Sequence, residues 1–317
     1  MAARQLPLQV IGGLVALLLL YYASGQIPVA GLFVSLLLPL PIILTIDRAG
    51  WWGGLLIVAA ALAILFYLER FTGVSAELLP LLHMAILGVT LATLAARPLP
   101  PELVIGGAAL GGMLFQVGVF VVLAQQQGLS PLAYLEQTVA TVWSGLSPIL
   151  DKDQILEKEF NQAGLTLAEV LSLVARLTPA LLLMNNTVVA LLNYLLSRTL
   201  GSERRWAPPK VPLPCWEAPG WLVFILIGAG FLLLVPYQVL RLAALNVLLI
   251  CLLLYFFQGV AIIAFGLQRF QVPHFLRWSI YLLLIVIKPA MLLVVIMGLV
   301  DLWLDFRRLH QPPPSEV

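Results

Sequence analysis

Nine long apolar runs govern what this chain can become: residues 8–23, 27–46, 51–68, 78–96, 103–124, 168–197, 221–237, 242–267 and 276–303. About 20 mainly apolar residues carry an α-helix across the ~30 Å hydrocarbon core of a bilayer. Backbone N–H and C=O groups cannot go unpaired there, and no run alternates with the period of two that a barrel strand requires. The expectation is an all-α, polytopic transmembrane helical bundle of about nine spans, forming a single integral membrane domain over 1–317. The count falls to eight if one of the short runs, 8–23 or 221–237, does not cross. Composition agrees, since 62% of residues are hydrophobic and 10% charged, against about 25% charged in an ordinary soluble domain. Lipid is the solvent that makes such a composition stable. The first run follows Arg4 in the manner of a signal peptide, but Tyr21, Tyr22 and Ser24 give no clean small-x-small cleavage site. It reads as a retained first span.

Two polar stretches interrupt the runs. Residues 125–167 hold Glu136, Asp151, Asp153, Glu157 and Glu159 against Lys152 and Lys158, with helical pieces such as 132–146. Residues 198–220 form a proline-rich link with Arg198, Arg204, Arg205 and Lys210, and Trp206, Trp216 and Trp221 suit the interfacial aromatic belt. Basic residues favour the cytoplasmic side, so the 198–220 link is expected in the cytoplasm and the 125–167 loop outside. Arg4, Arg48, Arg97, Arg269 and Arg277 then fall inside as well. Nine spans place Arg307 and Arg308 outside, a conflict that keeps eight spans in play.

The net charge of +2 is too small to argue for nucleic-acid binding, which needs many clustered phosphate contacts. No HExxH, GxSxG or Walker A pattern occurs, and no aspartate cluster suited to magnesium and a diphosphate. His83, His274 and His310 are scattered, and Cys215 and Cys251 form no CxxC pair. The expectation is no enzyme, no resident metal and no cofactor.

Candidate binding residues are the polar groups at bilayer depth, where a charged side chain costs about 2.5–3.5 kcal/mol on insertion scales. Lys288 sits mid-run beside Pro289; it reads either as a contact for an anion or carboxylate in a cavity or as a snorkelling lysine. Asn186, Ala190, Asn193 and Ser197 recur at spacings of four, three and four, which stacks them on one helix face. A polar, small stripe of this kind must face protein or water, as a cavity lining or as interhelical hydrogen-bond glue. Gln116 and Gln258 stand alone in apolar runs and read first as bonds to a neighbouring helix. His83 reads as interfacial. Asp301, Asp305 and Arg308, spaced four and three apart, read as a helix-end anchor. Small-residue pairs at four-residue spacing, such as Gly12 and Ala16 or Gly107 and Gly111, mark places where helices can approach.

LLLPLPIIL (36–44), PLPCWEAPGW (212–221), FFQGVAIIAFGL (256–267) and GLVDLWLDFRRL (298–309) together resemble the YybS-like family of bacterial multi-pass membrane proteins. The likeness runs over nearly the whole chain, and its motifs are structural rather than catalytic. The family is distantly similar to the substrate-binding S components of energy-coupling-factor transporters. The resemblance implies a bacterial cytoplasmic (inner) membrane protein with a small-molecule site in a helical bundle, worked by separate ATPase coupling subunits. Lys288, Asn186, Asn193 and Gln258 are the substrate-cavity candidates. The alternative is a non-transporting membrane scaffold or assembly partner whose polar residues only hold helices together, and a membrane enzyme comes third. The two main readings differ in geometry, by whether those side chains converge on a cavity or pair off between helices.

Overall fold

Proline placement and run length decide how the apolar runs become helices. The computed structural model describes residues 2–26, 28–72, 78–150, 155–162, 164–201 and 213–307. They fall into two compact units, Met1–Pro208 and Pro209–Val317, divided within the proline-rich link. Among the described residues every regular element is helical.

The first unit contains α1 (Ala2–Gln26), α2 (Pro28–Ser35), α3 (Pro39–Ala49), α4 (Trp51–Thr72), α5 (Leu78–Ala95), α6 (Pro101–Gln126), α7 (Pro131–Leu150), α8 (Ile155–Gln162) and α9 (Leu167–Leu200). The run at 27–46 is split, because Pro39 and Pro41 at the start of α3 lack the N–H groups that would continue α2. The short α3 then becomes the hub, packing against α1, α4, α5 and α9. It places Ile42, Ile43 and Ile46 in a core shared with Leu17, Ile57, Leu87, Leu91 and Val189. At 34 residues α9 is about 51 Å long, well beyond the ~30 Å hydrocarbon core. Its start is fixed by a capping box between Thr166 and Glu169. The acidic 125–167 stretch is largely helical here: α7 and α8 pack on α9, and Ser172 Oγ donates to Glu136 Oε1 at 2.9 Å.

The second unit contains a 3-10 turn (Leu213–Cys215), α10 (Leu222–Leu232), α11 (Gln238–Arg269), α12 (His274–Val286) and α13 (Lys288–Leu304). Among the described residues seven helical segments are long and apolar enough to cross a membrane, six in the first unit, where α2 and α3 together make one, and α11 in the second. The remaining two runs take other forms. The run 221–237 yields only the 11 residues of α10, about 17 Å, because Pro236 ends it from the far side. The run 276–303 breaks at Ile287, whose ψ of 100° leaves the helical region, one residue before Lys288 and two before Pro289. The proline ring and its missing N–H prevent one continuous helix. α11 and α13 cross at backbone contact: a Cβ on Gly259 would run into the Val294 carbonyl, and one on Gly298 into the Tyr255 carbonyl. Only glycine permits that approach. Elsewhere Leu8, Leu19, Phe66, Phe71, Phe224 and Leu292 stand exposed on helix faces, a surface suited to acyl chains and not to water.

Candidate functional site

The asparagine-bearing face of α9 is turned into the protein, with Asn186, Ala190, Asn193 and Ser197 all fully buried. Asn186 sits at the junction of three spans. Its Nδ2 donates to its own helix at Leu182 O (2.8 Å) and across to Gln116 Oε1 on α6 (2.7 Å). The Leu182 carbonyl can only accept, which fixes the amide orientation and leaves Oδ1 facing His83 Nε2 of α5 at 2.8 Å. We therefore assign the proton of neutral His83 to Nε2, as donor to Asn186, with the Nδ1 lone pair free to accept. Phe115 stacks parallel to the imidazole with centroids 6.5 Å apart. A Cβ on Gly112 would stand 2.6 Å from Asn186 Oδ1, so α6 approaches closely here because that residue is glycine.

The depth of this cluster follows from α9. Arg48 Nη2 donates to Leu200 O at 2.9 Å, and the exposed Trp52 follows the same α3–α4 corner, so the end of α9 lies at headgroup level. Twelve residues separate Arg198 from Asn186, about 18 Å along the axis. Asn186 thus lies well inside the span and away from the headgroup level at that end of α9. His83, expected to be interfacial from its place near the start of its run, is buried against α9. Gln116 bonds a neighbouring helix, as read from the sequence.

Asn193, two turns along the same face, does a different job. Leu40 N bonds Leu37 O where α2 gives way to α3, so the Leu36 carbonyl lacks its usual i+4 donor. Asn193 Nδ2 supplies one at 2.7 Å, and also bonds Val189 O at 2.8 Å. Its Oδ1 is buried and receives no donor. Asn186 and Asn193 share a face but not partners.

Gln258 lies in the second unit, in a polar cluster of its own. Its Oε1 accepts from Ala218 N at 3.3 Å and its Nε2 donates to Asp301 Oδ2 at 3.1 Å. Asp301 pairs with Arg307 at 2.7 Å, both side chains at most 2% exposed, and Asp301 Oδ1 accepts from Phe306 N at 2.9 Å. Arg307 Nη1 also donates to Pro214 O (3.0 Å) and Trp216 O (2.8 Å), while Nη2 reaches Glu217 at 3.3 Å. The end of α13, expected to be an anchor, is thus held through Asp301 and Arg307, a pair the sequence reading did not name. α13 stops at Leu304, and Asp305 enters the left-handed region at φ 41°, so helical spacing no longer chooses the partner. Arg308 lies outside the described residues, as does Trp206. Trp216 packs on the Ala218, Leu222, Cys251 and Tyr255 core, whereas Trp221 is exposed as an interfacial tryptophan would be. Lys288 opens α13, and its side chain lies outside the described residues.

Among the described residues no group of three or more His, Cys, Asp or Glu side chains is placed to hold a metal ion. Sequence reasoning passed over His83 and Arg307. The i to i+4 stripe on α9 could reveal one wall of the first cluster, but nothing in the α5 run marks which face of His83 meets it.

Comparison with known proteins agrees with this architecture. The chain is 27% identical over 293 residues to "Uncharacterized protein YybS" of Bacillus subtilis (strain 168), covering 89% of this chain and 90% of that protein. No solved structure matches. Residues 14–302 match the family described as "Predicted membrane protein (DUF2232)", and the chain belongs to that family of multi-pass membrane proteins.

Proposed function

We propose that this protein is a transport-related membrane protein that binds a small polar molecule at the His83–Gln116–Asn186 cluster, as a binding component and not an enzyme. One observation carries the reading: an ionisable imidazole is buried inside the bundle of apolar helices where three spans meet, with Asn186 as its hydrogen-bond partner. Ionisable groups at that depth are costly and mark solute or ion pathways. Transporter sites favour the midplane, where a few polar groups replace a solute's lost hydration. Asn193 Oδ1, an acceptor with no donor, adds hydrogen-bonding capacity on the same face. An S-component-like role, which the resemblance noted in the sequence implies, fits a site of this kind. With it come the bacterial inner membrane as location, a cytoplasmic 198–220 link, an external 125–167 segment, and separate ATPase subunits as partners.

A second reading rests on a specific observation. Every hydrogen bond of Asn186 and Asn193 described above ends on a neighbouring helix, on the α2–α3 turn or on α9 itself, which is what a non-transporting scaffold requires. Native mass spectrometry of the purified protein and of Asn186→Leu separates the two. The binding reading expects a small molecule retained by the wild type and lost from a variant that still folds and inserts. A wild type that carries no small molecule, in parallel with a strongly destabilised variant, favours the scaffold.

A further inference from the structure

An open trough of about 790 Å³ runs between α1 and α3, lined mainly by Leu8, Gly12, Ala16, Leu19, Leu20 and Leu44, with Gln9 and Arg48 as its hydrophilic end. The two helices are antiparallel: Gly13 lies against Thr45, and Val10 and Ala49 both border Gly53. Gln9 and Arg48 therefore share one end, and Leu20 and Leu40 the other. The Arg48 end coincides with the corner carrying Trp51 and Trp52, the latter 84% exposed. That pairing of tryptophan and arginine marks the headgroup level. From Gln9 to Leu20 the trough runs about 16 Å, close to the ~15 Å depth of a single hydrocarbon leaflet.

We propose that this trough is a binding site for one anionic phospholipid, with its phosphate held by Arg48 and Gln9 and one acyl chain laid along Gly12, Ala16 and Leu20. The site is independent of the solute reading above. An outward-facing apolar trough in a bilayer is filled by an acyl chain, since water gains nothing there. The missing side chain at Gly12 makes the room: a Cβ at that position meets nothing within 4 Å. The headgroup choice is set by charge. Arg48 is exposed and uses Nη2 on Leu200 O, which leaves its other nitrogens to face a phosphate. The neighbouring carboxylate, Asp47, is buried and does not line the trough.

The test uses the full-length protein, equilibrated with vesicles of equal parts phosphatidylglycerol and phosphatidylcholine, extracted gently, and assayed for retained lipid. The wild type is expected to retain phosphatidylglycerol several-fold over phosphatidylcholine. Arg48→Gln should equalise the two, with Arg48→Lys keeping most of the preference. Gly12→Phe, which fills the trough without touching Arg48, should lower the retained count by one lipid. Equal retention of both lipids by the wild type would overturn the proposal. So would a Gly12→Phe protein with the wild-type lipid count, because the headgroup contact alone would then explain the binding.

Discussion

Arg307→Met should loosen the second unit at one identifiable place. The guanidinium grips the carbonyls of Pro214 and Trp216, on either side of Cys215, while paired with a carboxylate that is 2% exposed. Methionine keeps much of the stem and removes every donor, leaving Asp301 buried with, among the described residues, Gln258 and Phe306 N as partners. Breaking a buried pair from one side costs about 3–5 kcal/mol, because a charge is left uncompensated. A surface pair would cost at most about 1 kcal/mol. The double variant Asp301→Leu/Arg307→Met removes both charges and should recover a large part of the loss, giving a coupling above about 2 kcal/mol in a double-mutant cycle. The assay is local as well as global. Cys215 is half-buried in the segment that Arg307 holds, and Cys251 is buried on α11 as an internal reference. Thiol labelling in the folded protein should rise at least tenfold at Cys215 in Arg307→Met and stay unchanged at Cys251. A loss below 1 kcal/mol with unaltered Cys215 labelling would refute the argument that this ion pair anchors the 213–221 segment.

Two further substitutions test the helix contacts. Asn193→Leu should destabilise the first unit by about 1–3 kcal/mol in mixed-detergent unfolding, because it leaves the half-buried Leu36 carbonyl without that donor; no measurable loss would show that the α2–α3 break needs no such partner. Gly298→Ala should cost about 1–3 kcal/mol by pushing α13 off the Tyr255 carbonyl. Gly228→Ala, where a Cβ meets nothing within 4 Å, serves as control, and equal effects of the two would rule out the close crossing.

The spans were legible because the bilayer imposes a length, and seven of the nine runs are single spans or, at 27–46, a span divided by Pro39. The stripe of Asn186, Ala190, Asn193 and Ser197 was legible from period alone, and all four are buried as that period demanded. What each asparagine does was not. Asn193 answers a carbonyl 157 residues away, and that carbonyl is orphaned only because a proline interrupts an unrelated helix. His83 met Asn186 through an α5–α9 packing that no local pattern encodes. The Asp301–Arg307 pair was not legible either, because the chain leaves the helix after Leu304 and turns at Asp305, φ 41°, where helical spacing says nothing about which side chains meet.

The central claim is that the cluster around Asn186 is a solute site reached from water and not merely the join between three helices. Gln116, half-buried on α6 and bonded to Asn186, is the place to ask. With Cys215 and Cys251 replaced by Ser and Ala, Gln116→Cys in sealed vesicles is treated with a small, membrane-impermeant thiol reagent, alongside Leu110→Cys on an exposed, lipid-facing position of α6. The account predicts that Gln116→Cys is modified much faster than Leu110→Cys, and from one side of the membrane only. A Gln116→Cys protein as inert as the lipid-facing control would contradict it, because no aqueous path would then reach His83 and Asn186.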